Sequence, residues 1–152
     1  MLAELMTCVN AAAMRPRVSP LGYPTAVAAL VDPATGSCSV QCAGHPTPVV
    51  LRASGAIDVL QTEGRMLGLM EPWLGEPAAT TLAPGDRLVL VTDGLEEAVK
   101  EPWPVWLSQA VALPAGDFET RLAASLDAEP GSLEPVDDVT VVRIEREIAA
   151  GA

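Results

Sequence analysis

Apolar residues recur along this chain with two different periods, and the switch between them marks out the elements. Leu2, Leu5, Met6, Val9 and Ala13 follow the spacing of one helix face, which predicts an amphipathic helix over 2–14. That helix starts at Met1 with no capping residue ahead of it, an abrupt start that leads us to expect a further segment upstream. Pro16 and Pro20 then interrupt the chain. Residues 25–31 are apolar on both faces, as in a strand buried on both sides. Asp32-Pro33-Ala34-Thr35-Gly36 has turn chemistry, and after it Cys38, Val40 and Cys42 alternate with Ser39 and Gln41. Together 25–43 predict a β-hairpin. A second hairpin joins 47–52 to 57–60 through Ala53-Ser54-Gly55.

Residues 61–79 contain Gly64, Gly68, Pro72, Gly75 and Pro77 and read mostly as loop. Strands over 79–82 and 87–92 flank a turn at Pro84-Gly85-Asp86. Short helices are expected over 95–100 and 104–113, the second with proline in its first turn. Asp117 is a good N-cap for a helix over 118–128. A loop over 129–135, a last strand over 136–145 and a flexible tail over 146–152 complete the chain. A helix, a run of antiparallel strands, further helices and a final strand make an α+β domain.

Composition narrows what such a domain can do. With 49% hydrophobic and 19% charged residues the chain is globular and not disordered. It has one Tyr and one Phe, so its core is built mainly from Ala, Val and Leu. A net charge of -11 opposes a basic-patch mode of nucleic-acid binding and disfavours anionic membranes. No apolar run is long enough to span a membrane, and no signal-peptide pattern opens the chain. Cys38 and Cys42 share a strand face but sit too far apart to bond. With Cys8 they read as three reduced, largely buried thiols of a cytoplasmic protein.

The candidate chemistry is acidic. Arg87-Leu88-Val89-Leu90-Val91-Thr92-Asp93-Gly94 ends a strand pattern on a carboxylate, and Asp137-Asp138-Val139-Thr140 opens another with two. If these strands lie side by side and antiparallel, Asp93 and Asp137 meet at one edge of a sheet. Clustered carboxylates suit a hard divalent cation. The competing readings are a plain turn at Asp93-Gly94 and a solvated loop end at Asp137-Asp138. His45, the one histidine, sits in Gly44-His45-Pro46 between two strands. Its bland reading is a hydrogen-bonded loop histidine, and its sharper one a general acid. Trp106 is expected in the core; Trp73 and Trp103 are core or cap residues, or else exposed anchors for a partner.

Five patterns in order resemble one family: Asp32-Pro33-Ala34-Thr35-Gly36, Ala43-Gly44-His45-Pro46-Thr47-Pro48, Leu67-Gly68-Leu69, Pro84-Gly85-Asp86 running into Thr92-Asp93-Gly94-Leu95-Glu96-Glu97-Ala98, and Asp137-Asp138-Val139-Thr140. The chain resembles the SpoIIE-type, RsbU-like branch of the PPM (PP2C-like) metal-dependent serine/threonine phosphatases, from about Leu2 to Ile144. The resemblance implies residues 1–145 as the C-terminal part of an αββα sandwich whose N-terminal part is missing. It implies Asp93 and Asp137 as ligands of Mn²⁺ or Mg²⁺. Gly94, Asp138 and His45 would be supporting residues; Glu97 itself reads as a surface or helix-start carboxylate. Two ions fill the complete family site; the family's upstream aspartates are not found here, so weak or absent binding is expected of this chain alone. The implied substrate is a phosphoprotein such as a STAS-type anti-sigma factor antagonist. The alternative is a catalytically inactive module for protein–protein interaction. Missing strands would leave an open sheet edge, to be covered by another segment or by a homodimer.

Overall fold

The computed structural model describes residues 1–15, 22–95, 106, 120, 124 and 138–147. Its elements are α1 (Leu2–Ala13), β1 (Ala26–Val31), β2 (Ser37–Ala43), β3 (Val49–Leu51), β4 (Ile57–Val59), β5 (Glu63–Gly64), β6 (Gly75–Glu76), β7 (Ala78–Thr81), β8 (Arg87–Val91) and β9 (Val141–Glu145). They form a three-stranded sheet in the order β1-β2-β7, a four-stranded sheet in the order β4-β3-β8-β9 and a two-stranded ribbon β5-β6. Every strand pairing is antiparallel.

The period-2 alternation of each strand sorts its side chains into layers. Cys38, Val40, Val50 and Leu88 face inward between the two larger sheets, with Leu60 and Leu82 closing the same cluster. Val49, Leu51, Val89 and Val91 face out from the other side of the four-stranded sheet and pack with Leu95 and Trp106. On the far side of the three-stranded sheet Met6 of α1 packs with Ala43, Leu67 and Trp73. Helix, sheet, sheet and Trp106 are thus stacked in order, and the architecture is α+β. The helices expected over 95–100, 104–113 and 118–128, together with Trp103, Asp117 and Glu97, fall outside the described residues, save that Leu95, Trp106, Thr120 and Ala124 are helical.

Several expectations need correcting. β1 is apolar on both faces because Val27, Ala29 and Val31 meet the inner core while Ala26 and Ala28 meet the α1 side. It is nevertheless an edge strand among the described residues, so it is half-buried, with Leu30 43% exposed. Loop 61–79 carries the β5-β6 ribbon. β7 and β8 do not pair with each other, so the turn between them carries the chain from one sheet to the other. Cys8 is exposed, whereas Cys38 and Cys42 are buried and their thiols are pushed up by that burial. Order continues past Glu145. The Arg146 guanidinium donates to the carbonyls of Thr35 (3.0 Å), Leu82 (2.7 Å) and Ala34 (3.1 Å), clasping the β1–β2 turn.

Three buried polar side chains hold the connections. Asn10 on α1 accepts from the Gly68 amide at 2.8 Å and donates to the Met70 carbonyl at 3.0 Å, fastening the 67–70 loop to the helix. The Gln41 amide donates to the carbonyls of Glu63 (2.8 Å) and Glu76 (3.1 Å), fixing both strands of the ribbon. Asp86 sits in the turn before β8, only 2% exposed. Its oxygens accept from the Arg52 guanidinium (2.8 Å) and from the amides of Ala53 (2.9 Å) and Ala83 (2.9 Å). Arg52 also donates to Asp58 (2.7 Å), to the Thr81 carbonyl (2.7 Å) and to the Thr80 hydroxyl (3.0 Å). One ion pair therefore ties the β3–β4 turn to the crossing between sheets. Burial alone would raise the Asp86 carboxyl, but the hydrogen bonds from Arg52, Ala53 and Ala83 outweigh it and hold the group below its ordinary value of 3.8.

Because the folded carboxyl is the stronger acid, this stabilisation is present above the ordinary value and is lost as pH falls through the lower folded value. Removing one partner of a buried pair leaves the other charge uncompensated, and Arg52 is partly hydrated, so Asp86→Asn should cost about 2–4 kcal/mol at neutral pH. Urea unfolding at pH 7 and pH 3 should show the variant losing less stability on acidification than the wild type. Asn10→Ala strands the Gly68 amide and should cost about 1–3 kcal/mol, with faster proteolytic nicking in the 67–70 loop as the local readout.

Candidate functional site

The end of β8 is where the chain turns from apolar strand to exposed carboxylate. Val91 is buried, Thr92 half-buried and Asp93 exposed; Gly94 and Leu95 are buried again. The Leu95 amide donates to the Thr92 carbonyl at 3.1 Å, and the Leu95 side chain is fully buried in the outer core. The backbone on both sides of Asp93 is thus held while its carboxylate meets solvent.

β9 runs antiparallel to β8 in a register that sets Val91 against Val141. Beyond that pair the Thr92 amide donates to the Thr140 carbonyl at 3.0 Å. The Thr92 hydroxyl accepts from the Thr140 amide at 2.8 Å and donates to the Asp138 carbonyl at 3.1 Å. Val139 packs against the outer core, whereas Asp138 and Thr140 on either side of it are exposed. Asp93 and Asp138 accordingly stand at the same end of two neighbouring strands. Asp137, the residue before Asp138, lies outside the described residues.

His45 belongs to the β2–β3 connection. Val49 at the start of β3 pairs with Val89, so this connection leaves the four-stranded sheet at the same end as Asp93. Its Nδ1 lies 3.1 Å from the Pro46 carbonyl, an intraloop contact of the kind the bland reading expects. Gly44 before it has φ +65°, and a side chain there would run into Met66, so glycine is required for the chain to turn tightly into the loop. Trp73 and Trp106 are both buried, and the Trp73 indole donates to the Arg65 carbonyl at 2.8 Å, so neither is an exposed anchor.

Among the described residues no group of three or more His, Cys, Asp or Glu side chains could hold a metal. Two exposed carboxylates at one strand end are still a donor set of the right kind for a hydrated divalent cation, which keeps several waters and takes only one or two carboxylates. They do not make a closed, protein-saturated site. A concavity of about 450 Å³ lies elsewhere, lined by Val31, Leu82 and Ile144 beside Arg146. It sits toward the Arg87–Glu145 end of the β8–β9 pair, opposite to the carboxylates.

Thr92 was not singled out by sequence reasoning. The available signal was a lone hydroxyl residue between an aliphatic strand and an aspartate, and only the register reveals what it bridges.

Residues 2–147 match the family model for stage II sporulation protein E (SpoIIE). The Mn-presoaked phosphatase domain of the cell fate determinant SpoIIE from Bacillus subtilis superposes with a TM-score of 0.68 at 18% identity, covering 99% of this chain and 68% of that one. The RsbU and RsbW domains of Rv1364c from Mycobacterium tuberculosis give 0.71 at 22% identity, over 97% of this chain and 42% of that one. The catalytic domain of the serine/threonine protein phosphatase PstP, in complex with two manganese ions, gives 0.66 at 18% identity, over 93% and 66%. The chain therefore spans from under half to about two thirds of these relatives. At such identities the superpositions establish a shared fold. A comparison with curated protein sequences returns no match.

Proposed function

We propose, from the premise that this chain belongs to the SpoIIE family, that it is the C-terminal part of a metal-dependent serine/threonine phosphatase domain acting on a regulatory phosphoprotein. The observation that carries this reading is the β8–β9 pairing, which stands Asp93 and Asp138 at one end of a sheet in the fold of PP2C phosphatase domains.

In this reading Asp93 and Asp137 hold a Mn²⁺ or Mg²⁺ ion, with Gly94, Asp138 and His45 in support. When bound, such an ion supplies Lewis acidity toward the phosphoryl group and makes a water nucleophilic near neutral pH. The chain's own part is placement. The buried Leu95 and the Thr92–Thr140 bonds hold the backbone that carries the carboxylates, and no covalent intermediate on the protein is required. Carboxylates left unneutralised in a chain of net charge -11 would repel a phosphate, so substrate approach depends on cation occupancy. A STAS-type anti-sigma factor antagonist is the substrate class that the family suggests.

A second reading has its own support. No group of three or more His, Cys, Asp or Glu assembles among the described residues, as a non-catalytic interaction module would have it. Mn²⁺-dependent hydrolysis of p-nitrophenyl phosphate separates the two. Catalysis expects turnover that Asp93→Asn lowers about 10–100-fold or more. Turnover that survives this substitution would remove Asp93 from the site, and no turnover at any metal concentration favours the module.

The edge of β1 that no strand covers among the described residues is the proposed seat of a homodimer. It is uncharged over Ala26–Val31, with Leu30 largely exposed. Sedimentation equilibrium should show concentration-dependent association that Leu30→Lys weakens; an equally strong self-association in that variant would place the contact elsewhere.

A further inference from the structure

A strand ladder normally ends where one partner turns away, and the next groups of the other strand are then left to water. β8 turns away at Asp93, yet the chain entering β9 stays attached for two more residues. The attachment is the Thr92 side chain. A hydroxyl carries one donor and two acceptor sites, and Thr92 uses both kinds: it donates to the Asp138 carbonyl at 3.1 Å and accepts from the Thr140 amide at 2.8 Å. The main-chain bond from the Thr92 amide to the Thr140 carbonyl, 3.0 Å, adds a third tie. Val139, between the two residues so held, packs into the outer core.

We infer that Thr92 is a positioning residue, its hydroxyl holding the Asp138 segment in register beside Asp93 so that carboxylates of both strands can engage one divalent cation. The inference rests on the phosphatase reading above. The ordinary alternative is that Thr92 merely finishes a strand. The two differ in where its loss is felt. Both hydroxyl bonds lie at an exposed site, where water can replace them, so folding stability changes little. Alignment of the segment, and with it cation affinity, changes much more, because groups that orient metal ligands matter nearly as much as the ligands.

The test is a Mn²⁺ titration read by water-proton relaxation, which reports binding without turnover, on the full chain and on Thr92→Val and Thr92→Ser. Amide hydrogen exchange over 138–140 is followed in the same samples. Thr92→Val, close in shape but without the hydroxyl, should weaken Mn²⁺ binding about tenfold or more and speed exchange of the Thr140 amide. Thr92→Ser should recover both, and Thr92→Ala repeats the test without a branched side chain. Equal Mn²⁺ affinity in wild type and Thr92→Val overturns the inference alone, as does a serine variant as weak as the valine one. A wild type that takes up no Mn²⁺ at any concentration overturns the inference for this chain and favours the interaction module.

Discussion

The antiparallel pairing of β8 with β9 is the constraint on which the rest depends. It runs from Arg87↔Glu145 to Val91↔Val141 and joins residues some fifty positions apart. At one end it continues into the Thr92–Thr140 bonds and brings Asp138 beside Asp93. At the other it continues into Arg146, whose backbone pairs with Gly85 and Asp86 and whose guanidinium clasps the β1–β2 turn. In the middle, Leu88, Val89 and Val91 contribute to both cores. The two ends of the sandwich are coupled by a single ladder.

Those ends treat carboxylates in opposite ways. Asp86 is buried, paired with Arg52 and bonded to two backbone amides, so both of its oxygens are engaged within the protein. Asp93 and Asp138 are exposed on well-anchored backbone. A buried, satisfied carboxylate such as Asp86 sets the path of the chain, whereas Asp93 on its held backbone meets solvent. Asp86 thus shapes the fold at one end of the ladder, while Asp93 and Asp138 stand exposed at the other.

Much of the fold was legible because strand alternation is a local signal. The pattern at Cys38, Val40 and Cys42 was enough to place β2, and the turn chemistry of 32–36 was enough to close its hairpin. What the pattern cannot report is which strands become neighbours. β1 looked like an interior strand because both its faces are apolar; both faces do pack, but its outer edge does not pair among the described residues. Pro84-Gly85-Asp86 has the same chemistry whether the chain doubles back or crosses between sheets, so the crossing was invisible. Asp86 passed for a turn residue and Arg52 for a strand end because their partnership spans 34 positions. The two-residue strands of the β5-β6 ribbon are too short to carry any period. For the candidate site, the placement of Asp93 on a strand end followed from the sequence, while the role of Thr92 required the register.

The long reach of the β8–β9 ladder also orders assembly. Hairpins β1–β2 and β3–β4 close short loops from neighbouring sequence, whereas the Val91–Val141 end of the β8–β9 ladder closes a loop of about fifty residues. Until β9 docks, β8 has only β3 beside it, and neither the carboxylate end nor the Arg146 clasp exists. The carboxylate end and the lock on the opposite turn therefore depend on the same long-range pairing, so loosening the ladder at either end is felt at both.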